Sequence, residues 1–317
     1  MKKFILKKTA ALIITIFVIS IITFLAFSII PGDAAITRLG SNATPEKIAK
    51  IRSELGLDEN VLVRYFKWAG NAIRGDFGES LQYQGHKVSD LIEGRIPYTL
   101  MIGALSVLIL LIISFPIGII AAKFENTKID GIILVVTHVF MAIPNFFMGI
   151  VLTFVFGVSL RVFTPGKYVS PTDDFFGSMG YLIFPAIAVS LPKVAMVVKY
   201  IREAISHEME KDYVKLARAK GCTENRILTG HVLKNALITV LTFMGLVIAE
   251  ILAGSVIVEQ VFGVPGMGKF LVNAILKRDY PVVQAVVIYV AIIVVLCNTI
   301  VDVLYAVVDP RINLEDM

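Results

Sequence analysis

The stretch Gly263-Val-Pro-Gly-Met-Gly268-Lys269 comes within one position of a phosphate-binding loop. That chemistry needs backbone N–H groups to cradle phosphates, a Lys to reach them, and then Ser or Thr to hold magnesium. Here Phe270 follows, and the segment joins two apolar runs rather than a strand and a helix. We therefore read it as a tight re-entrant or surface turn, not a nucleotide site. His86, His138, His207 and His231 are scattered without metal-ligand spacing, and no nucleophile elbow is present. Cys222 and Cys297 are the only cysteines, one in a basic loop and one in an apolar run, which indicates neither a disulfide framework nor a metal site. The chain is expected to perform no covalent chemistry and to hold no metal or cofactor of its own.

Charged groups inside apolar runs mean more, because ionisable side chains at membrane depth face a bundle interior or a watered cavity. Lys193, Glu250 and Asp302 are of this kind. Glu250 either lines a translocation route or is locally paired and tolerated; the sequence leaves both open.

The elements that must position these groups are membrane helices. Of 317 residues, 56% are hydrophobic and only 17% charged, with a mean hydropathy of +0.79. Soluble domains run nearer half apolar and a quarter charged. A bilayer core about 30 Å thick needs roughly 20 apolar helical residues. Runs at 9–30, 99–122, 132–158, 181–198, 236–258 and 282–308 meet or approach that length and predict six spans. The first follows Lys2, Lys3, Lys7 and Lys8, ends at Pro31-Gly32-Asp33 and lacks a small-residue cleavage site, so we read it as a retained helix rather than a signal peptide. The net charge of +5 gathers in short loops, without a basic patch interleaved with aromatics, so nucleic-acid binding is not expected.

Positive charge also orients the chain. The N-terminus, 123–128, 199–234 and the C-terminal tail fall on one side after six crossings, and 199–234 carries Lys199, Arg202, Lys211, Lys215, Arg218, Lys220, Arg226 and Lys234. That side is the cytoplasm by the positive-inside rule, so both termini are expected there. The organisation expected is an N-terminal span (1–31), an external loop with short amphipathic helices (32–97), a core of five spans (98–308) and a cytoplasmic tail (309–317). Within the loop, Thr44-Pro45-Glu46 reads as a helix start with Ile48, Ile51 and Leu55 at helical spacing, and 62–73 brings Tyr65, Phe66 and Trp68 to a membrane interface.

The stretch 204–234 is the most informative. Residues 204–220 read as one charged helix, with Tyr213, Leu216, Ala217 and Lys220 on one face and Ala217 and Ala219 keeping it thin. Gly221 ends it, because glycine takes a left-handed conformation at little cost. Thr223 can cap a second short helix with Glu224 in its first turn. Such a helix-glycine-helix elbow is either a lever toward a cytosolic partner or an amphipathic connector on the headgroups.

Here the sequence resembles a known family. Asp212-Tyr-Val-Lys-Leu-Ala-Arg-Ala-Lys-Gly221, then Ile227 and His231-Val-Leu-Lys-Asn-Ala236, are similar to the cytoplasmic "EAA" loop of ABC importer permeases of the oligopeptide/dipeptide/nickel group. Leu55-Gly-Leu-Asp58, Gly75-Asp-Phe-Gly-Glu-Ser80, Arg95-Ile-Pro97, Ile143-Pro-Asn-Phe146, Gly254-Ser-Val-Ile-Val-Glu259, Phe262 with Pro265-Gly266, Arg278-Asp-Tyr-Pro281 and Asp309-Pro-Arg-Ile312 extend the likeness over nearly the whole chain. The opening Glu-Ala-Ala reads Lys215-Leu216-Ala217, and the general motif's Pro near Val232 is absent. The long loop after the first span is that of the first of the two paired permeases. The resemblance implies an all-α membrane protein with the type I importer permease fold, in a bacterial or archaeal plasma membrane. It implies a second homologous permease, two cytosolic ATPase subunits carrying ATP and magnesium, an external substrate-binding protein, and peptides as cargo. Tyr213, Leu216, Ala217, Ala219 and Gly221 would then contact the ATPase through the 213–234 elbow, while Glu250 and Asn145 are candidates for the translocation path. The competing classes are an ion-gradient-driven secondary transporter, a structural membrane scaffold, and the same importer carrying nickel or glutathione.

Overall fold

The computed structural model describes residues 2–29, 34–39, 44–54 and 56–308. The Pro31-Gly32-Asp33 stop, Leu55, the 309–317 tail with its Asp309-Pro-Arg-Ile312 motif, and the side chains of Ile51 and Asp302 lie outside the described residues. In chain order the helices are α1 (Lys2–Ile29), α2 (Ala34–Leu39), α3 (Pro45–Glu54), α4 (Val61–Ile73), α5 (Val88–Glu93), α6 (Ile96–Lys123) and α7 (Lys128–Ala142). They continue with α8 (Asn145–Leu152), α9 (Phe175–Met209), α10 (Asp212–Ala219), α11 (Glu224–Ile227), α12 (Leu233–Phe262), α13 (Met267–Leu276) and α14 (Tyr280–Val308). Short π-helical turns, Thr153–Ser159 and Leu228–Val232, extend α8 and join α11 to α12. The only strand-like pairing among the described residues is a bridge between Glu79 and Lys87.

Five helical segments are long and apolar enough to cross a bilayer: Lys8–Phe27, Val88–Lys123, Phe175–Met209, Glu224–Phe262 and Tyr280–Ile300. The expected third span is not one straight helix. Lys128–Ala142 and Asn145–Ser159 meet at 98° and make the sixth crossing only as a broken pair. Pro144 lacks an N–H and pushes the preceding residue out of the helical region, so Ile143 is extended (φ −87°, ψ 121°) and the ladder stops there. The fourth span, weakest by sequence, is instead part of the 35-residue α9, which runs unbroken past Pro185 and Pro192 with most of its membrane portion buried. Prolines are tolerated there because neighbouring helices enclose the freed backbone groups.

The chain divides into two compact units, Met1–Thr99 with Pro265–Val295, and Leu100–Val264 with Leu296–Met317. In the first, α4 packs on α1 through the Phe24–Tyr65 and Phe24–Trp68 ring pairs, at 5.5 and 5.6 Å, and a 2.8 Å hydrogen bond between the Ser20 and Tyr65 hydroxyls. Val88 and Ile92 of α5, Met267 and Phe270 of α13, and Val282, Val283 and Val286 of α14 form its buried core. The first turn of α13 is held by Thr99, whose Oγ1 accepts the Met267 N–H at 2.9 Å. The turn reading of Gly263–Lys269 therefore holds only as far as Gly266, after which the chain is helical. Asp279, 1% exposed, gathers the 75–80 motif: Ser80 Oγ donates to its carboxylate, as do the Leu81 N–H at 3.0 Å and the Gln82 N–H at 3.3 Å.

In the second unit α9 is the central helix, in contact with α7, α8 and α12. Small residues let the helices approach, as at Gly118 of α6, where an added Cβ would lie 2.7 Å from Ile201 Cβ. Tyr181 of α9 donates its hydroxyl to the Phe262 carbonyl at 2.5 Å, fixing the end of α12.

Candidate functional site

Three connected pieces of the second unit form the elbow. The single helix expected over 204–220 is broken: α9 ends at Met209, Lys211 is extended (φ −66°, ψ 151°), and α10 is a separate helix of 8 residues. The break lets Glu208, in the last turn of α9, accept from Tyr213 and Asn235, and Asp212 suits the positive start of the new helix. The α9 helix extends 11 residues beyond the expected span end at Val198, about 16 Å at 1.5 Å per residue. It carries α10 clear of the apolar run.

The α10 helix is fastened on one side. Val214 is fully buried. The Tyr213 hydroxyl donates to Glu208 Oε1 at 2.9 Å, and the Asn235 amide donates to the same oxygen at 3.4 Å and to the Tyr213 hydroxyl at 3.3 Å. Burial raises the Tyr213 phenol above its ordinary range, and the Glu208 carboxylate adds to this, so the phenol stays protonated as the donor. One triangle therefore ties the ends of α9, α10 and α12.

The C-terminal end of α10 closes with a Schellman motif. Gly221 N–H bonds the Arg218 carbonyl at 2.9 Å, Cys222 N–H bonds the Ala217 carbonyl at 3.2 Å, and Gly221 takes φ +81°. Past the glycine, Thr223 is extended at the N-cap position of α11, but its hydroxyl makes no capping bond, contrary to the expectation from sequence. Glu224 instead meets Arg218 in a two-pronged pair, Nε to Oε1 at 2.7 Å and Nη2 to Oε2 at 3.1 Å, across the glycine turn. Both side chains are well exposed, so the pair positions the turn more than it stabilises it. Ile227, Leu228 and Val232 are buried and seat α11 and the following π-turn.

Of the five residues expected to contact a partner, Leu216 is 56% exposed. Ala219 and Gly221 are also exposed, Ala217 is half-buried, and Tyr213 is turned back toward the bundle by its hydroxyl. The protruding surface is thus Leu216, Ala219 and Gly221, ringed by Lys215 and Lys220.

The two candidates for the path fall together. Glu250 of α12 is ion-paired with Lys193 of α9; the lysine side chain is 17% exposed and the glutamate 53%. Gly254 lies one turn on from Glu250, and a Cβ there would sit 3.0 Å from Asn145 Nδ2, at the α7–α8 break. Glu250 is locally paired, yet its carboxylate still presents an open side. Sequence reasoning missed a second ionic cluster. Asp130 of α7, 4% exposed at its side chain, accepts Arg202 of α9 at 2.7 Å through each oxygen, and Glu125 lies 3.4 Å from the same guanidinium. Arg202 entered only as one positive charge among eight, and nothing in its spacing pointed to a partner 72 residues away.

Comparison with known proteins now adds to this geometry. Residues 114–314 match the family described as binding-protein-dependent transport system inner membrane component, and residues 1–103 match the N-terminal region of such components. The chain is 38% identical to the oligopeptide transport system permease protein AppB of Bacillus subtilis over 315 residues, covering 99% of this chain and all of the relative. It is 34% identical, with the same coverage, to a chain of Brucella abortus whose name assigns it to a peptide transport system. A chain of Sinorhizobium fredii named for a peptide ABC transporter is 32% identical over 98% of this chain and 99% of its own length.

Proposed function

Because the chain belongs to the binding-protein-dependent transport system inner membrane component family, we propose that this multi-pass permease is one of two paired subunits through which an ATP-driven importer moves peptides. Full-length likeness to chains named for oligopeptide and peptide transport supports that cargo over nickel or glutathione. The observation that carries the proposal is the elbow: a short helix held at the end of α9, closed by a left-handed glycine, with Leu216 and Ala219 facing outward. The elbow lies on the basic side, which the positive-inside rule assigns to the cytoplasm together with both termini.

In this reading the chain is not itself a catalyst. ATP and magnesium belong to two cytosolic ATPase subunits, and an external binding protein delivers cargo to the two permeases in the plasma membrane. When the ATPases close, the one docked on this chain pushes on Leu216, Ala217, Ala219 and Gly221. The Tyr213–Glu208–Asn235 triangle passes that movement to α9 and α12, the helices that carry Lys193 and Glu250. The bundle then exchanges one packed arrangement for another rather than deforming continuously. Glu250 and Asn145 line the route with groups that can accept from or donate to a passing peptide backbone.

The test is uptake by proteoliposomes holding the permease pair and ATPases, with the binding protein added outside. Labelled peptides should accumulate only with ATP inside. Uptake driven by an ion gradient without ATP, or competition by nickel but not by peptides, contradicts the proposal.

A further inference from the structure

The first unit holds a pocket of about 490 Å³ whose walls include Phe24 and Phe27 of α1, Arg64 and Trp68 of α4, and Tyr280 and Gln284 of α14. Its depth follows from the helices that build it. Phe24 and Phe27 close the apolar segment Lys8–Phe27, and Tyr280 opens the segment Tyr280–Ile300. The Phe27 and Tyr280 rings lie 5.2 Å apart, so both spans end at this level. A pocket where spans end under an aromatic cluster sits among the headgroups.

Its polar inventory is incomplete within the protein. Trp68 Nε1–H and the Tyr280 hydroxyl are buried without a hydrogen-bond partner. Gln284 is only 8% exposed and contributes an amide. The Arg64 guanidinium stands 5.8 Å over the Phe24 ring. Buried donors are ordinarily satisfied, and here they share a wall with a cation, so the occupant brings acceptor oxygens. A purely anionic occupant fits poorly, because Glu59, Asp76 and Glu79 also line the pocket. Lys67 pairs with Glu59 at 2.7 Å and Asp76 accepts the Gly78 N–H at 2.9 Å, but three carboxylates against Arg64 and Lys67 leave the lining net acidic. Beside the pocket, Leu25, Leu62 and Phe66 are exposed apolar side chains on α1 and α4.

We infer that this pocket binds the headgroup of a zwitterionic phospholipid, a phosphodiester bearing a primary ammonium group, from the leaflet opposite the N-terminus. The phosphate oxygens take the Gln284 amide beside Arg64 and draw the enclosed Trp68 and Tyr280 donors round toward the pocket, the ammonium offsets the net acidic lining, and the acyl chains lie along the apolar faces of α1 and α4.

Trp68 is the chain's single tryptophan, so its emission reports on this pocket alone. In the full chain in detergent micelles, titration with short-chain phosphatidylethanolamine should give a saturable emission shift. Arg64→Gln should weaken the midpoint by about tenfold, as for loss of a charge-assisted hydrogen bond. Gln284→Leu should weaken it too, and an unchanged thermal unfolding midpoint shows each variant folded; if Gln284→Leu unfolds, Arg64→Gln decides. Soluble phosphoethanolamine and short-chain diacylglycerol should each shift emission only at far higher concentration. The inference is overturned by no saturable shift, by indifference to Arg64→Gln, by phosphatidylglycerol binding equally well, or by soluble phosphoethanolamine matching the lipid.

Discussion

Gly221→Val will lower ATP-driven uptake by at least about tenfold while leaving membrane insertion intact. Nothing lies within 4 Å of a Cβ built at this position, so the cost is not a clash. It is backbone strain: at φ +81° a residue with a Cβ pays roughly 1–2 kcal/mol, and a β-branched one is a genuine outlier. About 1.4 kcal/mol is a tenfold change in an equilibrium. The chain relieves that strain by opening the turn, which breaks the Gly221–Arg218 and Cys222–Ala217 bonds and swings α10 away from α11. A series separates this account from simple crowding. Asn tolerates the left-handed region best after glycine, so uptake should fall in the order Gly, Asn, Ala, Val. Crowding would instead rank Ala above Asn. ATP hydrolysis measured beside uptake in the same proteoliposomes should persist, at least in part, in the valine variant, because the linkage rather than the ATPase is damaged.

Asp130→Asn will destabilise the second unit by about 3 kcal/mol, because breaking a buried ion pair leaves its partner's charge uncompensated. Asparagine keeps the shape of Asp130 but removes the charge from a carboxylate that holds Arg202 through both oxygens and also accepts the Asn126 N–H at 3.0 Å. Glu125 at 3.4 Å from the guanidinium softens the loss without replacing the two-pronged geometry. The thermal unfolding midpoint of the purified permease should fall. Adding Arg202→Met should recover part of the loss, since the orphaned guanidinium is the main cost. A midpoint unchanged in Asp130→Asn would show that this cluster does not hold α7 to α9.

How far each feature was legible in the sequence depends on its range. Spans follow from twenty-residue apolar runs, a local property, but the helices overrun those runs, by 11 residues at the end of α9 and by 11 and 12 at the starts of Val88–Lys123 and Glu224–Phe262. The Gly221 turn was legible because one residue type suits a left-handed stop. Pro144 announced a kink, but a proline alone does not say whether a helix bends slightly or turns through 98°; that depends on what packs on either side. The break at residues 210–211 was hidden because every residue from 204 to 220 tolerates a helix, and the decision came from Glu208 finding Tyr213 and Asn235. Asp279 and Ser80 stood in stretches singled out for their resemblance, yet their pairing across 199 positions left no periodic trace. The same holds for Asp130 with Arg202 and Lys193 with Glu250. Long-range polar partners are chosen by the packed bundle, and a single sequence records only their identities.

Cross-linking from the tip of α10 bears most directly on the claim that the elbow engages an ATPase. Cysteine is placed at Leu216 in the assembled importer after Cys222 and Cys297 are changed to serine, and a short reagent with one thiol-reactive and one photoactivatable end is added to inverted membrane vesicles and illuminated. A product joining this chain to an ATPase subunit, with a yield that changes when ATP is supplied, is the result predicted. A Leu216→Cys side chain that reacts only from outside intact cells, or never joins an ATP-hydrolysing subunit, would contradict the account.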